Sequence, residues 1–459
     1  MLQHKLQDLF DEPACATNRA KDDAGRKKGC GAKPLTPGNA AGGCAFDGAK
    51  IVLQPIADAA HLVHGPSACE GNSWDSRHAL SSGPELYRTG FTTDLSELDV
   101  IYGGEKRLYR AIKEIATRFD PPAIFVYQTC VTAMIGDDIA TVCKVASERL
   151  GRPVIPVNAP GFVGKKNFGT KLAGEVLLDH VIGRVEPEET TPTDINLLGE
   201  YNVAGDLWNV TPLFERLGVR VLAAITGDAR FRQVASAHRA RLNMMVCSQA
   251  LINLARKMKE RWGIPYFEGS FYGVSATSLS LRTIARMLVA QGAAADLLTR
   301  TEDLIATEEA RVAAELKPLL PRLEGKRALL YTGGVKSWSV ISALQDAGMV
   351  VIGTSVRKST PGDKARAQAL MGEDGELFET LTQREMYRML KAGEADIMLS
   401  GGRTQFVALK AKAPWLDINQ ERHHAYAGYD GAVALAREID RALSNPIWRQ
   451  VRAPAPWEA

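Results

Sequence analysis

Short apolar runs alternate with stretches of helical periodicity along most of this chain. The runs are AIFVY at 123–127, VIPV at 154–157, VRVLAAI at 219–225, RALLY at 327–331, MVVIG at 349–353 and ADIMLS at 395–400. Brief, continuously apolar runs separated by helical segments are typical of parallel strands that are buried on both faces. The pattern therefore predicts an α/β fold of doubly wound, Rossmann-like domains, with helices on both sides of parallel sheets.

The length of 459 residues suggests about three such domains, at roughly 150 residues each. Residues 1–43 are polar and rich in glycine, and we expect them to form an extension outside the folded body. We predict three α/β domains around a central cofactor pocket, followed by a C-terminal tail that packs back on the body. The predicted domains span residues 44–216, 217–324 and 325–439, and the predicted tail spans 440–459.

Several unusual residues follow the predicted strands directly. Cys130 comes three positions after Tyr127, Gly333 and Gly334 follow the run at 327–331, and Arg403 closes a Gly-Gly-Arg turn after the run at 395–400. Parallel sheets bind ligands at the carboxyl ends of their strands, where loops and helix N-termini present free N–H groups. These positions are therefore candidates for contact with a ligand.

Charge and hydropathy exclude several classes of function. Lysine and arginine total 56 against 53 acidic residues, a formal charge of +3 that provides no strong field for binding nucleic acid or a membrane surface. The sequence contains neither a signal-like segment nor a run of 18 apolar residues, so we expect a cytoplasmic protein. Because no GxxxxGK[ST] motif occurs, any ATP that the process consumes is expected to be hydrolysed by another protein.

Three of the seven cysteines lie in turns rich in glycine, proline or threonine: Cys44 in GGCAFDG, Cys69 in HGPSACEGNSW and Cys130 in VYQTCVTAMIGDD. Their spacing is too wide for a zinc knuckle but is compatible with three loops that converge on one iron-sulfur cluster. Three thiolates leave one iron of a four-iron cluster without a protein ligand, which points to a partner chain.

The alternative for any cysteine is that it serves as a small buried hydrophobe. Cys143 fits that description, because it shares one face of a predicted helix with Ile139 and Ala146. Cys247, in the apolar run MMVC, is either a core residue at a strand end or a ligand. Cys15 and Cys30 lie in the polar extension and receive no role.

Longer segments carry a resemblance to a known family. They are CAFDGAKIVLQPIADAAHLVHGPSACEGNSWD, PPAIFVYQTCVTAMIGDDI, MMVCSQALINLARKMKERWGIPYFEGSFYG, LLYTGGVKSWSV and PWLDINQERHHAYAGYDG. The chain resembles the nitrogenase component 1 superfamily from about residue 8 onward. Within it, the chain is similar to the α-like subunit of the scaffold on which the iron-molybdenum cofactor is assembled.

The resemblance implies a ligand set for the interfacial cluster. Cys44, Cys69 and Cys130 match the α-side ligands of a 4Fe-4S cluster at the interface with a NifN-like sister subunit, in an α2β2 heterotetramer. Cys247 matches the cysteine that binds the terminal iron of the mature cofactor in the catalytic subunit.

The resemblance also implies a pocket for the cofactor. Asn419 stands where the catalytic subunit holds molybdenum with histidine, and amide oxygen is a poorer ligand than imidazole for such a centre. Lys336, after Gly333 and Gly334, and Arg403 match basic residues that contact the cofactor or its organic acid. The alternative for Lys336 and Arg403 is an ordinary solvated surface. For His423 and His424 two interpretations stay open: imidazole ligands to a docking cluster, or an unliganded pair in a surface loop. His64 is expected to pack or to support a ligand rather than to bind iron, and Arg77 and His78 are treated in the same way.

The resemblance finally implies a function. The chain would hold an eight-iron precursor, donated by a NifB-type protein, while molybdenum and homocitrate are inserted with help from the nitrogenase iron protein. Apo-nitrogenase component 1 would accept the product. Two alternatives stay open: a catalytic α subunit of nitrogenase or a related iron-sulfur reductase, and a binding or structural module with incidental cysteines.

Overall fold

A computed structural model describes residues 43–75, 79–246, 248–333, 335–357, 359–419 and 421–454. Three purely parallel sheets, each with helices packed around it, make up the described part of the chain, which confirms the predicted doubly wound α/β class. Within these ranges, every helix is too short or too polar to cross a lipid bilayer.

The first sheet has the strand order β2-β1-β3-β4. Its strands are β1 (Ala60–His64), β2 (Phe91–Thr92), β3 (Ile124–Gln128) and β4 (Val154–Val157). Its helices are α1 (Ala45–Leu53), α2 (Ser67–Asp75), α3 (Glu97–Tyr102), α4 (Glu105–Phe119), α5 (Cys130–Met134), α6 (Ile139–Leu150) and α7 (Lys166–His180). Helix α4 shows why these segments are helical: its buried residues Leu108, Ile112, Ile115 and Ala116 recur at spacings of three and four and face the sheet.

The second sheet has the order β6-β5-β7-β8. Its strands are β5 (Asp194–Leu198), β6 (Arg220–Ile225), β7 (Leu242–Met245) and β8 (Tyr266–Glu268). The helices are α8 (Asp206–Leu217), α9 (Phe231–Ser236), α10 (Ser248–Trp262), α11 (Val274–Val289), α12 (Asp296–Leu316) and α13 (Leu320–Leu323). Because β5 pairs with β6 and β7, this sheet starts at Asp194, before the predicted boundary at residues 216 and 217. The division into domains stays a prediction.

The third sheet has the order β11-β10-β9-β12-β13. Its strands are β9 (Arg327–Tyr331), β10 (Val350–Ser355), β11 (Glu376–Phe378), β12 (Ile397–Ser400) and β13 (Trp415–Asp417). The helices are α14 (Val335–Asp346), α15 (Pro361–Met371), α16 (Gln383–Lys391), α17 (Gln405–Lys410), α18 (Gly428–Ser444) and α19 (Ile447–Arg452). Helix α18 runs through the predicted boundary at 439 and 440. Beyond it, Arg452 Nε donates to the Lys412 carbonyl at 2.9 Å, so α19 contacts the body.

The hydrophobic cores join neighbouring sheets. One core combines Leu197 and Met244 of the second sheet with Leu330 and Leu399 of the third. Another combines Val63 and Phe125 of the first sheet with Leu198 and Met245 of the second. The side chains of β5 and β7 alternate between these two cores, since successive residues of a strand point to opposite faces. The second sheet is therefore packed between the other two.

Candidate functional site

Cys44 is held where the chain enters the first helix. It is the N-cap residue of α1, with φ −83° and ψ 178°, and its carbonyl accepts from the Gly48 N–H at 3.0 Å. An antiparallel bridge pairs Cys44 with Lys165, and the Ala45 N–H donates to the Gly164 carbonyl at 2.9 Å. Cys44 is thereby fixed beside the loop that follows β4.

Cys69 and Cys130 follow two strands that pair with each other. Cys69 lies in the first turn of α2 after β1, and Cys130 is the first residue of α5 after β3. The Thr129 and Thr132 hydroxyls both donate to the His64 carbonyl, at 2.9 and 3.1 Å, which ties the two loops together. The carboxyl edge of the first sheet therefore presents both cysteines, a position that the strand-end argument predicted for Cys130 alone.

Gly161, in the short 3-10 turn Gly161–Val163, brings Cys44 and Cys130 together. Its N–H donates to Cys130 Sγ at 3.1 Å. A Cβ added at Gly161 would lie 2.9 Å from Cys130 Sγ and 3.2 Å from Cys44 Sγ, so both thiols flank the same backbone atom. Burial raises the pKa of the Cys69 thiol, and negative charge on Cys130 and Cys44 raises it further. Cys44 and Cys130 thus lie together at Gly161, and Cys69 is close enough for their charges to affect its pKa.

The residues around Gly161 can be tested for their fit to an iron-sulfur cluster. In an iron-sulfur cluster each thiolate binds a different iron, so the sulfurs are spread more widely. The donor set and the space that only a glycine leaves at position 161 fit such a cluster, although its presence stays a prediction.

A buried ion pair joins the helices that carry Cys44 and Cys69. Lys50 of α1 donates to the Glu70 carboxylate and, at 3.0 Å, to Ser73 Oγ of α2. Lys50 is fully buried, and burial raises the pKa of Glu70 in spite of the ammonium beside it. Sequence analysis missed this pair, for which the only signal was a lysine within the apolar run AFDGAKIVL.

His64 lies next to the cysteine loops but faces other partners. Its Nδ1 is 3.1 Å from Thr93 Oγ1, and its Nε2 is 2.9 Å from Asp137 Oδ2. Burial lowers the pKa of His64, although Asp137 opposes that shift. Both ring nitrogens are used inside the protein, which matches the packing role expected for this residue.

Large apolar side chains are exposed on the elements around the cysteines. Met134, in the helix that begins at Cys130, is 76% exposed, and Phe162, next to Gly161, is 60% exposed. Exposed apolar groups concentrated in one region are typical of protein interfaces.

A second group of predicted residues lies at the carboxyl edge of the third sheet. Lys336 Nζ donates to the Ile418 carbonyl at 3.3 Å and lies 5.3 Å from the centre of the Tyr272 ring. The Asn419 N–H donates to Asp417 Oδ1 at 2.7 Å. A Cβ added at Gly401 would lie 2.9 Å from Asn419 Nδ2, so the amide rests against that turn.

The remaining predicted residues are placed as follows. Gly333 is half-buried after β9, and Arg403 is exposed in the 3-10 turn Gly402–Thr404. His423 and His424 are exposed, and His424 Nε2 lies 3.7 Å from Glu438. Burial raises the pKa of Cys143 to about 12, in keeping with its predicted place in the core. Several predicted positions lie outside the described residues: Cys15, Cys30, Arg77, His78, Cys247 and Gly334.

Beside Lys336 lies a buried set of charges that sequence analysis missed. Arg422 forms a bidentate ion pair with Asp206, and Arg422 Nη2 also donates to the Tyr272 hydroxyl at 3.2 Å. Burial raises the pKa of Glu200 to about 7, and the Asp206 charge adds to the rise. Burial likewise raises the pKa of Asp417 to about 6. Buried titratable groups next to predicted ligand-contact residues are typical of functional pockets.

Comparison with known proteins identifies the family. The family model "Nitrogenase component 1 type Oxidoreductase" matches residues 44–444. A Bradyrhizobium diazoefficiens protein named "Nitrogenase iron-molybdenum cofactor biosynthesis protein NifE" is 65% identical over 99% of this chain and 83% of its own length. Its Klebsiella pneumoniae namesake is 50% identical over the whole of both chains. The solved structure "Nitrogenase Cp1 at pH 5" superposes with a TM-score of 0.83 at 29% identity, over 91% of this chain and 90% of its own. The chain therefore belongs to the nitrogenase component 1 type oxidoreductase family.

Proposed function

We propose that this chain is a scaffold subunit for biosynthesis of the iron-molybdenum cofactor of nitrogenase. The observation that carries the proposal is the 65% identity, over 99% of the chain, to a relative named for that biosynthesis. The nitrogenase Cp1 structure has the same fold but is only 29% identical. The catalytic alternative is therefore not supported, and the alternative of a module with incidental cysteines does not explain that identity.

Cys44, Cys69 and Cys130 would hold a 4Fe-4S cluster at the contact with a sister subunit of the NifN type. Such a cluster, when bound, supplies an electron relay. The chain contributes three thiolates, a backbone N–H from Gly161 to Cys130 Sγ at 3.1 Å, and the buried cation of Lys50 nearby. An N–H donor stabilises charge on the sulfur. The exposed thiol of Cys130 and the apolar groups around it support completion of the site by a partner chain.

The eight-iron precursor would bind at the second group of predicted residues, at the carboxyl edge of the third sheet. Lys336 and Arg403 offer cationic donors to an anionic cluster and to homocitrate. Gly333 and Gly334 would let the backbone approach closely, and Cys247 would anchor one iron. Asn419, in place of a histidine, would leave the molybdenum end weakly held. A precursor bound firmly at one end only is more readily transferred.

Membership of this family indicates that the chain works with a partner subunit. We propose which proteins its partners are. The sister subunit would complete an α2β2 heterotetramer, and the precursor would come from a NifB-type protein. The nitrogenase iron protein would assist the insertion of molybdenum and homocitrate. Apo-nitrogenase component 1 would accept the finished cofactor.

The test is anaerobic co-purification with the sister subunit, followed by iron and molybdenum counting. We expect a brown heterotetramer whose interfacial cluster gives an electron paramagnetic resonance signal. Cys69→Ala and Cys130→Ala should each lose that signal and assemble less well with the sister subunit. In Cys247→Ala, the signal should persist while precursor retention falls. Colourless, iron-free protein would refute the scaffold function, and substrate reduction at nitrogenase-like rates would favour the catalytic alternative.

A further inference from the structure

Arg422 is a buried cation whose hydrogen-bond donors are all used inside the protein. Its side chain is 1% exposed. Its Nε donates to the Asn419 carbonyl at 3.0 Å, and its Nη1 donates to the His424 carbonyl at 3.1 Å. The Asp206 carboxylate accepts from Nη1 and Nη2, and the Tyr272 hydroxyl accepts from Nη2 at 3.2 Å. A guanidinium has five N–H donors, so Arg422 has none left with which to bind a ligand.

Asp206 holds the later part of the same turn. It is the first residue of α8, which follows β5 of the second sheet, and it is completely buried. Its Oδ1 also accepts from the N–H groups of Tyr426 and Ala427, at 2.9 and 3.1 Å. A carboxylate is favoured at this place, because the N-terminus of a helix attracts negative charge. The ion pair therefore holds four backbone groups of the turn 419–427.

This turn carries Asn419, the residue that the proposed function sets against the molybdenum end of the precursor. The Asn419 N–H donates to Asp417 Oδ1 at 2.7 Å, and its amide rests against Gly401. Both of those contacts are made within the third sheet and its loops. The bond from Arg422 to the Asn419 carbonyl leads instead, through Asp206, to the second sheet. Arg422 thus fixes Asn419 relative to a second element of the fold.

The alternative is that the ion pair only stabilises the folded chain. A buried ion pair is weak evidence for stability, since the cost of desolvation offsets the attraction between the charges. What a guanidinium adds is direction: it bonds a carboxylate at two points, and its plane then aims Nε at one further acceptor. Lysine carries the same charge without that fixed geometry.

We propose that Arg422, together with Asp206, is a positioning residue for the precursor: the pair fixes the turn 419–427 so that position 419 meets the precursor in one orientation, although neither side chain touches it. The inference rests on the proposed function, because the precursor at Asn419 belongs to that function. Residues that hold a metal ligand in place typically contribute about 10- to 100-fold to metal affinity or activity.

The experiment uses the anaerobic heterotetramer loaded with precursor by the donor protein. Precursor iron that remains after gel filtration is followed over time, and the interfacial electron paramagnetic resonance signal of the same samples is the internal reference. Arg422→Lys keeps a positive charge beside Asp206 but loses the planar group that reaches the Asn419 carbonyl. We expect it to shorten retention of the precursor by about tenfold or more, with the interfacial signal unchanged. In the iron-free chain, the N–H groups of Tyr426 and Ala427 should exchange with solvent faster than in the wild type.

A second substitution separates positioning from stability. Asn419→His offers an imidazole, which is a better ligand than an amide for such a metal centre, and should lengthen retention when Arg422 is present. When Arg422→Lys is added, that gain should be lost, because the two positions depend on each other. A pair that only stabilised the fold would leave the gain intact. If Asn419→His brings no gain in the presence of Arg422, position 419 does not face the metal and the inference is wrong.

Arg220→Lys is the matched control. Arg220 also forms a bidentate pair with a fully buried carboxylate, that of Asp194, at 2.7 Å through both Nε and Nη2. These two residues begin β6 and β5, at the edge of the second sheet opposite to Asp206. The control should keep the wild-type retention and the gain from Asn419→His. If Arg422→Lys behaves like this control, the inference is wrong while the proposed function stands. If the wild type itself retains no precursor, the proposed function fails and the inference falls with it.

Discussion

Gly161→Ala tests the cysteine site without removing any thiol. The new methyl group would lie 2.9 Å from Cys130 Sγ, and 3.2 Å from both Cβ and Sγ of Cys44. Favourable contacts between non-bonded heavy atoms begin at about 3.5 Å, so Cys130 Sγ would have to retreat by roughly 0.6 Å or more. Metal sites tolerate ligand displacements of only about 0.2 Å. The substitution should therefore displace one ligand well beyond what the cluster accepts.

Overpacking of this size costs about 1–3 kcal/mol. If the cost falls on the cluster-bound state, cluster affinity should drop roughly 5- to 150-fold. The assay is iron content and electron paramagnetic resonance of the heterotetramer after anaerobic purification with the sister subunit. We expect the interfacial signal to be strongly reduced, while far-ultraviolet circular dichroism shows the wild-type fold.

Gly71→Ala is the control for this experiment. Gly71 lies in α2 two residues from Cys69, a Cβ there would meet nothing within 4 Å, and its φ is not positive. Alanine should thus stabilise the helix by about 0.5–1 kcal/mol and leave the cluster intact. If Gly161→Ala retains full iron and an unchanged signal, Cys44 and Cys130 do not bind the same cluster and the site assignment is wrong.

Three further outcomes are expected. Lys50→Met should lower the free energy of unfolding by about 3–5 kcal/mol in urea titrations, because it leaves the buried Glu70 carboxylate unpaired; a loss below 1 kcal/mol would show that the pair is solvated. Iodoacetamide at pH 7.5 should label Cys130 of the iron-free chain and spare Cys143, since Cys143 is buried with a pKa of about 12; equal labelling would contradict that burial. Burial lowers the pKa of His61 to about 3, so below pH 6.5 the unfolded chain binds a proton on this ring that the folded chain does not bind. His61 should then lower the free energy of unfolding of the iron-free chain by about 1.2 kcal/mol between pH 7 and 5.5, and His61→Gln should remove this contribution. If the variant loses stability with falling pH as steeply as the wild type, His61 is not responsible.

The strands that sequence analysis found, and two of those that it missed, share a physical explanation. Continuous apolar runs predicted β3, β4, β6, β9, β10 and β12, but β5 and β7 contain the buried polar residues Asn196 and Asn243. Asn196 Nδ2 donates to Asn243 Oδ1 at 2.8 Å, so the two amides are joined across the paired strands. Such a pair becomes visible only after the strands have been placed side by side. Without β5, nothing in the sequence indicated that the second sheet starts at Asp194.

The site was predictable only where a single residue type carries the chemistry. Cysteines in turns and basic residues after strands stand out in the sequence, whereas the Asp206–Arg422 pair joins positions 216 residues apart. Likewise, Gly161 is one glycine among many until its N–H is found on Cys130 Sγ. Contacts of this kind depend on how the loops meet, which periodicity and composition do not report.

In the proposed function, the second group of residues would hold its cargo by charge rather than by a metal ligand at one end. The backbone of Asn419 is fixed by Asp417 and its amide rests on Gly401, so the residue that the resemblance places at the histidine position is held in place, and an amide is a weak ligand. Grip at that end would then depend on cationic donors such as the ammonium of Lys336. An ionic contact can be exchanged for contact with water, whereas a metal-imidazole bond must be broken. A scaffold that must both retain and release a cluster would benefit from the first arrangement, and a catalyst that keeps its cofactor through every turnover would need the second.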